Sequence, residues 1–137
     1  MGPMGHFTLR ETNVSKCFIG TGTGFAPLYF QLERCAELEF SSPVKLVFGV
    51  RTTSDLFYAE EIERLANQLS NFSYEPYVSR ENSTEVKTGR VTDVITQELV
   101  DRYEEFYLCG SPSMVKDARN RLEVLGVLKD QICFEQY

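Results

Sequence analysis

Residues 16–28 read Lys16-Cys17-Phe18-Ile19-Gly20-Thr21-Gly22-Thr23-Gly24-Phe25-Ala26-Pro27-Leu28, a short apolar run that passes directly into a glycine cluster and then into a helical period. Cys17, Phe18 and Ile19 are residues of a strand buried on both faces. Beyond the glycines, Leu28, Leu32, Cys35 and Ala36 recur at i, i+4, i+7 and i+8, with Gln31, Glu33 and Glu37 elsewhere, so the helix presents one apolar face. A strand, a glycine turn and a helix in that order open a parallel α/β unit.

The same alternation continues outward. Ser41-Ser42-Pro43 ends the first helix, Val44 to Val50 forms a second strand, and Ser54 or Asp55 caps a helix whose apolar face is Ile62, Leu65, Ala66 and Leu69. Ser73 to Ser79 is a third strand, and its Pro76 suits an edge position. Arg80 to Thr88 reads as a polar loop, and Gly89 to Asp93 leads into a short helix through about Asp101, capped by Thr92. Glu105 to Cys109 is a fourth strand. Ser111 and Pro112 then have the types preferred at a helix cap and first position, and Val115, Ala118, Leu122 and Leu125 supply the buried stripe. Gly126 stops that helix and Gln131 to Tyr137 gives a last strand, for five strands and four helices in all.

A chain of 137 residues with 42% apolar content has room for one domain with its own core. Fourteen Lys and Arg against 20 Asp and Glu leave a net charge of −6 with no basic run, which argues against nucleic acid and anionic membrane as partners. No apolar run approaches the roughly 20 residues that span a bilayer, so no membrane insertion is expected. The N-terminus has neither the charged region nor the apolar stretch of a signal peptide, and a cytoplasmic location follows as the expectation. Cys17, Cys35, Cys109 and Cys133 are widely spaced and His6 is the one histidine, so no metal site is expected. Cys17, Cys35 and Cys133 read as small buried apolar residues. Tyr29-Phe30, Phe57-Tyr58 and Phe106-Tyr107 read as core and interface aromatics.

In an open parallel sheet, ligands bind outside the carboxyl ends of the strands, where strand order reverses. Gly20-Thr21-Gly22-Thr23-Gly24 lies at such an end. Its backbone amides and the following helix start can face a phosphate, which glycine allows to approach closely; the same glycines also suit a plain tight turn. The run lacks the lysine of a P-loop and departs from the usual dinucleotide G-x-G-x-x-G.

Three segments in order, Gly22-Thr23-Gly24-Phe25-Ala26-Pro27-Leu28, then Phe48-Gly49-Val50-Arg51 with Asp55, Tyr58 and Glu61, then Cys109-Gly110-Ser111-Pro112-Ser113-Met114, resemble the pyridine-nucleotide domain of the ferredoxin-NADP reductase superfamily. Gly2-Pro3-Met4-Gly5-His6-Phe7 is similar to the final segment of the flavin-binding barrel that precedes this domain in that family, leaving His6 as a boundary or docking residue. The resemblance implies an α/β domain with a five-stranded parallel sheet, order 3-2-1-4-5, and helices on both faces. Residues 1–14 would be barrel end and linker, and residues 15–137 the NAD(P)-binding domain. It also implies NAD(P)H as a cofactor, with FAD held mainly by a missing domain or partner subunit, and a ferredoxin, another iron–sulfur protein, an oxygenase or a quinone as electron acceptor.

Carried over by position, Gly22, Thr23, Gly24 and Pro27 would line the pyrophosphate loop. Cys109 would sit at the nicotinamide, with Gly110, Pro112 and Met114 shaping the pocket. A thiol at a strand end before a helix start is also placed for access and a lowered pKa. Glu135-Gln136-Tyr137 resembles an E-x-Y ending in which the ring stacks on flavin and the carboxylate orients nicotinamide or relays protons. Ser79-Arg80 resembles the serine–arginine pair that holds a 2′-phosphate, and Arg51 is a second cation for that end. This favours NADPH; Glu81 and Glu85 nearby, and the absence of the K-x-Y-x-Q pattern that follows in plant-type members, weigh toward NADH and leave NADPH a modest edge. Two rival readings are a non-catalytic nucleotide-binding module that senses redox state or assembles an electron-transfer complex, and a flavodoxin-like domain. The second leaves Cys109-Gly110-Ser111-Pro112 unexplained.

Overall fold

The structure, a computed structural model, describes residues 9–52, 58–79 and 87–136. Ten elements alternate along it: β1 (Lys16–Thr21), α1 (Phe25–Glu37), β2 (Val44–Val50), α2 (Ala59–Gln68), β3 (Phe72–Val78), β4 (Lys87–Thr88), α3 (Gln97–Arg102), β5 (Glu105–Gly110), α4 (Pro112–Val124) and β6 (Ile132–Gln136). The strands form one sheet in the order β4-β3-β2-β1-β5-β6, and all pairs are parallel. Without β4, the five strands read from the sequence stand in the order 3-2-1-4-5.

β4 is the departure, because it falls at the end of a stretch read as a polar loop. It pairs only Tyr77 with Lys87 and Val78 with Thr88, a backbone contact with no apolar alternation to announce it. Pro76 therefore still lies where β3 has a partner on one side only, beside Phe48 of β2. A proline is tolerated there because it has no N–H to leave unpaired.

Side-chain alternation divides the core between the two faces of the sheet. Phe18, Leu46, Phe48, Tyr107 and Cys109 pack with Leu28, Leu32 and Cys35 of α1 and Ile62 and Leu65 of α2. Cys17, Ile19, Val47, Phe106 and Leu108 pack on the other side with Leu99 of α3 and Val115, Ala118 and Leu122 of α4. Each face buries a continuous apolar layer, so the domain supplies its own hydrophobic stabilisation.

Some local readings need correction. Gln31 is buried although periodicity places it off the apolar face, whereas Ala66 is exposed. Phe30 is 71% exposed and belongs to no core. Thr92 is not a helix cap. Its carbonyl accepts from Ile95 N to close a 3₁₀ turn over Val91–Val94, and the chain then extends before Thr96 caps α3 through Leu99 N at 3.3 Å. Ser54 and Asp55, read as alternative caps of α2, lie outside the described residues. Among the described residues no helix is long and apolar enough to cross a membrane.

At the amino ends of the strands, Lys16 of β1 is completely buried and pairs with Glu105 of β5. Glu105 Oε1 also accepts from Tyr107 Oη at 2.8 Å, and Tyr107 Oη accepts from Arg10 N at 3.0 Å. Arg34 of α1 reaches Glu11 at 3.0 Å. These contacts fasten the segment before β1 to the edge of the sheet opposite the strand carboxyl ends.

Candidate functional site

The chain leaves β1 toward β2 on one side and later returns to place β5 on the other, so strand order reverses at the carboxyl end of β1. A cleft of about 730 Å³ opens along that edge, within the size range of small-molecule and cofactor sites. Thr21 and Gly22 form its floor; Arg51, Ser79 and Arg90 line it toward β3, and Ser111, Ser113, Met114 and Asp117 line it toward α4.

The floor depends on close backbone approach. Gly22 has φ +54°, a left-handed conformation that disfavours a side chain, and a Cβ there would meet nothing within 4 Å. The 3₁₀ turn Gly22–Gly24 runs into α1, whose cap position is Gly24, so no cap side chain covers the first helical amides. No acidic residue stands in the first turn, which leaves the positive end of the helix dipole open to an anion. Gly24 itself lies against the carbonyl of Cys109 at the end of β5, and Gly110 lies against Thr21 Oγ1, with Met114 Cε 2.8 Å from where its Cβ would be. Each close contact between the two loops thus needs a glycine on one side, Gly24 against Cys109 and Gly110 against Thr21.

The α4 wall follows from local sequence. Ser111 accepts from Met114 N at 3.3 Å as the cap, and Pro112 takes the first helical position. Across the cleft, Gly89 N donates to Val78 O at 2.8 Å, and Gly89 has φ +119°. Val91 seats against Gly49, where a Cβ would be 2.5 Å from Val91 Cγ1. Tyr58 lines the cleft and stacks on Phe25, ring centroids 3.6 Å apart at 7°.

Of the residues singled out in the sequence, Gly22, Arg51, Ser79 and Met114 line the cleft. Thr23 and Gly24 belong to the turn beneath it, Pro27 to the first turn of α1, and Gly110 and Pro112 to the junction of β5 and α4. Cys109 pairs with Gly20 on one side and with Glu135 on the other. Its thiol is not accessible: Cys109 is 0% exposed and faces the core layer under α1, because side-chain alternation along β5 turns it inward with Tyr107. Arg80 and Tyr137 lie outside the described residues.

Sequence reading missed Arg90, Thr92 and Asp117 as lining residues, and Tyr58, read as a core or interface aromatic, also lines the cleft. The signal for Arg90 was a positive-φ glycine before it, which re-aims the chain over the ends of β2 and β3. Thr92 is 2% exposed, and its hydroxyl has no hydrogen-bond partner among the described residues. No group of three or more potential metal ligands occurs among the described residues.

Comparison with known proteins agrees with this architecture. Residues 18–120 match the family model described as oxidoreductase NAD-binding domain. The chain is 38% identical over 144 residues to the reductase component of propane 2-monooxygenase of Rhodococcus jostii, covering 99% of this chain and 39% of that protein. It is 32% identical to the electron transfer component of toluate 1,2-dioxygenase of Pseudomonas putida, with 99% and 41% covered. The chain thus spans about two fifths of the length of these relatives. Among solved structures, the cytochrome P450 reductase of Amycolatopsis superposes with a TM-score of 0.87 at 28% identity, over 98% of this chain and 42% of that one.

Proposed function

The chain belongs to the oxidoreductase NAD-binding domain family, and on that premise we propose that it is the nucleotide half of an NAD(P)H-dependent flavoprotein reductase of the ferredoxin-NADP reductase type, working in the cytoplasm. One observation carries the reading. The open left-handed turn at Gly22 lies on the floor of a cleft large enough for a dinucleotide and leads directly into the glycine-capped start of α1 beneath it. The residues present fit such a ligand: free helical amides and two arginines for its phosphates, and an aromatic and apolar lining from Tyr58, Phe48 and Met114 for its rings.

Gly22, Thr23, Gly24 and Pro27 hold the pyrophosphate. Arg51, Ser79 and Arg80 meet the adenosine end, and Cys109, Gly110, Pro112 and Met114 form the nicotinamide end. Cys109 acts there by packing, since its buried thiol supports the glycine turn from below. Glu135 stands beside Cys109 in the sheet, and Glu135 and Tyr137 are assigned to the flavin end of the reaction. When bound, NAD(P)H supplies a hydride, and FAD, held mainly by a flavin domain or subunit to which residues 1–14 lead, accepts it and passes electrons to a ferredoxin or other iron–sulfur acceptor. The similarity to the reductase component of propane 2-monooxygenase and the electron transfer component of toluate 1,2-dioxygenase favours an oxygenase system as the destination. The task of this chain is positioning, which accelerates a reaction by fixing geometry before the chemical step.

Calorimetric titration of the chain with NADPH and NADH, repeated with Arg80→Ala, tests this. Saturable binding of a pyridine dinucleotide supports the reading, and a selective loss of NADPH in the variant assigns Arg80 to the 2′-phosphate. Binding of neither nucleotide contradicts it.

A further inference from the structure

We propose that Arg90 is a second phosphate-binding residue of the nucleotide cleft, a role that rests on the nucleotide reading above and that no sequence motif assigned. The turn carrying it is built to present it. Gly89, at φ +119°, reverses the chain immediately before Arg90, and Val91 immediately after it is locked against Gly49 at the end of β2. Asp93, the acid closest in sequence, is engaged elsewhere. Its Oδ2 accepts from Arg90 backbone N at 3.0 Å and its Oδ1 lies 3.8 Å from Arg121. Arg121 Nη1 also donates to Thr92 O at 2.8 Å, which ties the turn to α4 behind the cleft.

The result is a rigid turn whose exposed arginine lines the same cleft as Arg51, while Asp117, which also lines it, lies 3.8 Å from Arg121. A second, independent feature points to a ligand. Thr92 lines the cleft, is 2% exposed, and keeps a hydroxyl with no partner among the described residues. A buried polar group left without a partner is costly unless something else completes it. Two arginines approaching from separate strand ends suit a dianionic or diphosphate group, since each guanidinium can engage phosphate oxygens through two donors.

The nucleotide offers such a group in two places, the pyrophosphate and, in NADPH, the 2′-phosphate. Titrating the unaltered chain, Arg90→Ala and Arg90→Lys with NADPH and with NADH at two salt concentrations separates them. Arg90→Ala should weaken binding by about tenfold to a hundredfold, and Arg90→Lys should recover part of the loss. The salt dependence of the remaining affinity should fall in Arg90→Ala, a change that a merely structural role would not produce. Loss confined to NADPH assigns the 2′-phosphate, and loss with both nucleotides assigns the pyrophosphate. Unchanged affinity of Arg90→Ala for both would overturn the proposal. Failure of the unaltered chain to bind either would overturn the nucleotide reading itself and this role with it.

Discussion

Gly24, at the start of α1, lies directly on the carbonyl of Cys109 at the end of β5, with no room between them for a methyl group. The loop that leaves the central strand is thereby packed on its neighbour, and the floor of the cleft is a backbone-to-backbone contact. Gly24→Ala keeps a backbone conformation open to any residue (φ −70°), so its penalty is purely steric. The expected cost is about 1–3 kcal/mol of stability, read from urea denaturation, together with loss of nucleotide affinity as the turn is pushed off its seat. Full affinity in a folded Gly24→Ala chain would remove the turn from the site.

Cys109→Ala is expected to leave the fold intact at a cost of about 1 kcal/mol, because only one buried sulfur is removed. Hydride transfer to flavin in the assembled reductase should slow more than this loss of stability explains, since the packing beneath Gly24 and beside Glu135 is loosened. Stopped-flow flavin reduction checks it, and an unchanged rate would end the assignment of Cys109 to the nicotinamide end.

The Lys16–Glu105 pair has side chains 0% and 10% exposed, so each charge depends on the other for solvation. Lys16→Met alone leaves the carboxylate of Glu105 without its buried cation, held only by Tyr107 Oη at 2.8 Å and the half-exposed Arg10 at 3.9 Å, and should destabilise the chain by about 3 kcal/mol, whereas the double change Lys16→Met with Glu105→Leu should recover most of that. Denaturant midpoints of the two single variants and the double variant form the cycle that measures this.

Burial pushes the thiols of Cys17 and Cys35 up from 9.0 to about 12. Their neutral forms are therefore favoured by folding. Stability from this source is fully present below pH 9, falls as the unfolded chain ionises above it, and is gone once the folded thiols ionise near pH 12. Denaturant midpoints should decline across that window, and less steeply in Cys17→Ala. At neutral pH both thiols should resist a thiol-specific reagent until the chain unfolds.

Most of the architecture was legible because its cause is local. Cys17 to Ile19 and Leu46 to Phe48 are apolar because parallel strands are covered on both faces, and Ser111-Pro112 announces a helix start through cap chemistry alone. What escaped depends on contacts between distant segments. β4 is two residues of backbone pairing without an apolar signature, and Thr96 displaced Thr92 as a cap because a 3₁₀ turn intervened. Arg90 reaches the cleft only because Gly89 and the Val91–Gly49 contact carry it there. The inward turn of Cys109 is visible only once the register of β5 against β1 is known.

Amide chemical-shift mapping of the chain titrated with NADP⁺ and NAD⁺ tests most directly whether a pyridine dinucleotide lies across the carboxyl ends of the strands. The predicted result is saturable shifts concentrated at Thr21 to Gly24, Arg51, Ser79, Gly89 to Thr92 and Gly110 to Met114, with the Lys16–Glu105 end of the sheet unmoved. No shifts with either nucleotide, or shifts centred away from those segments, would contradict it.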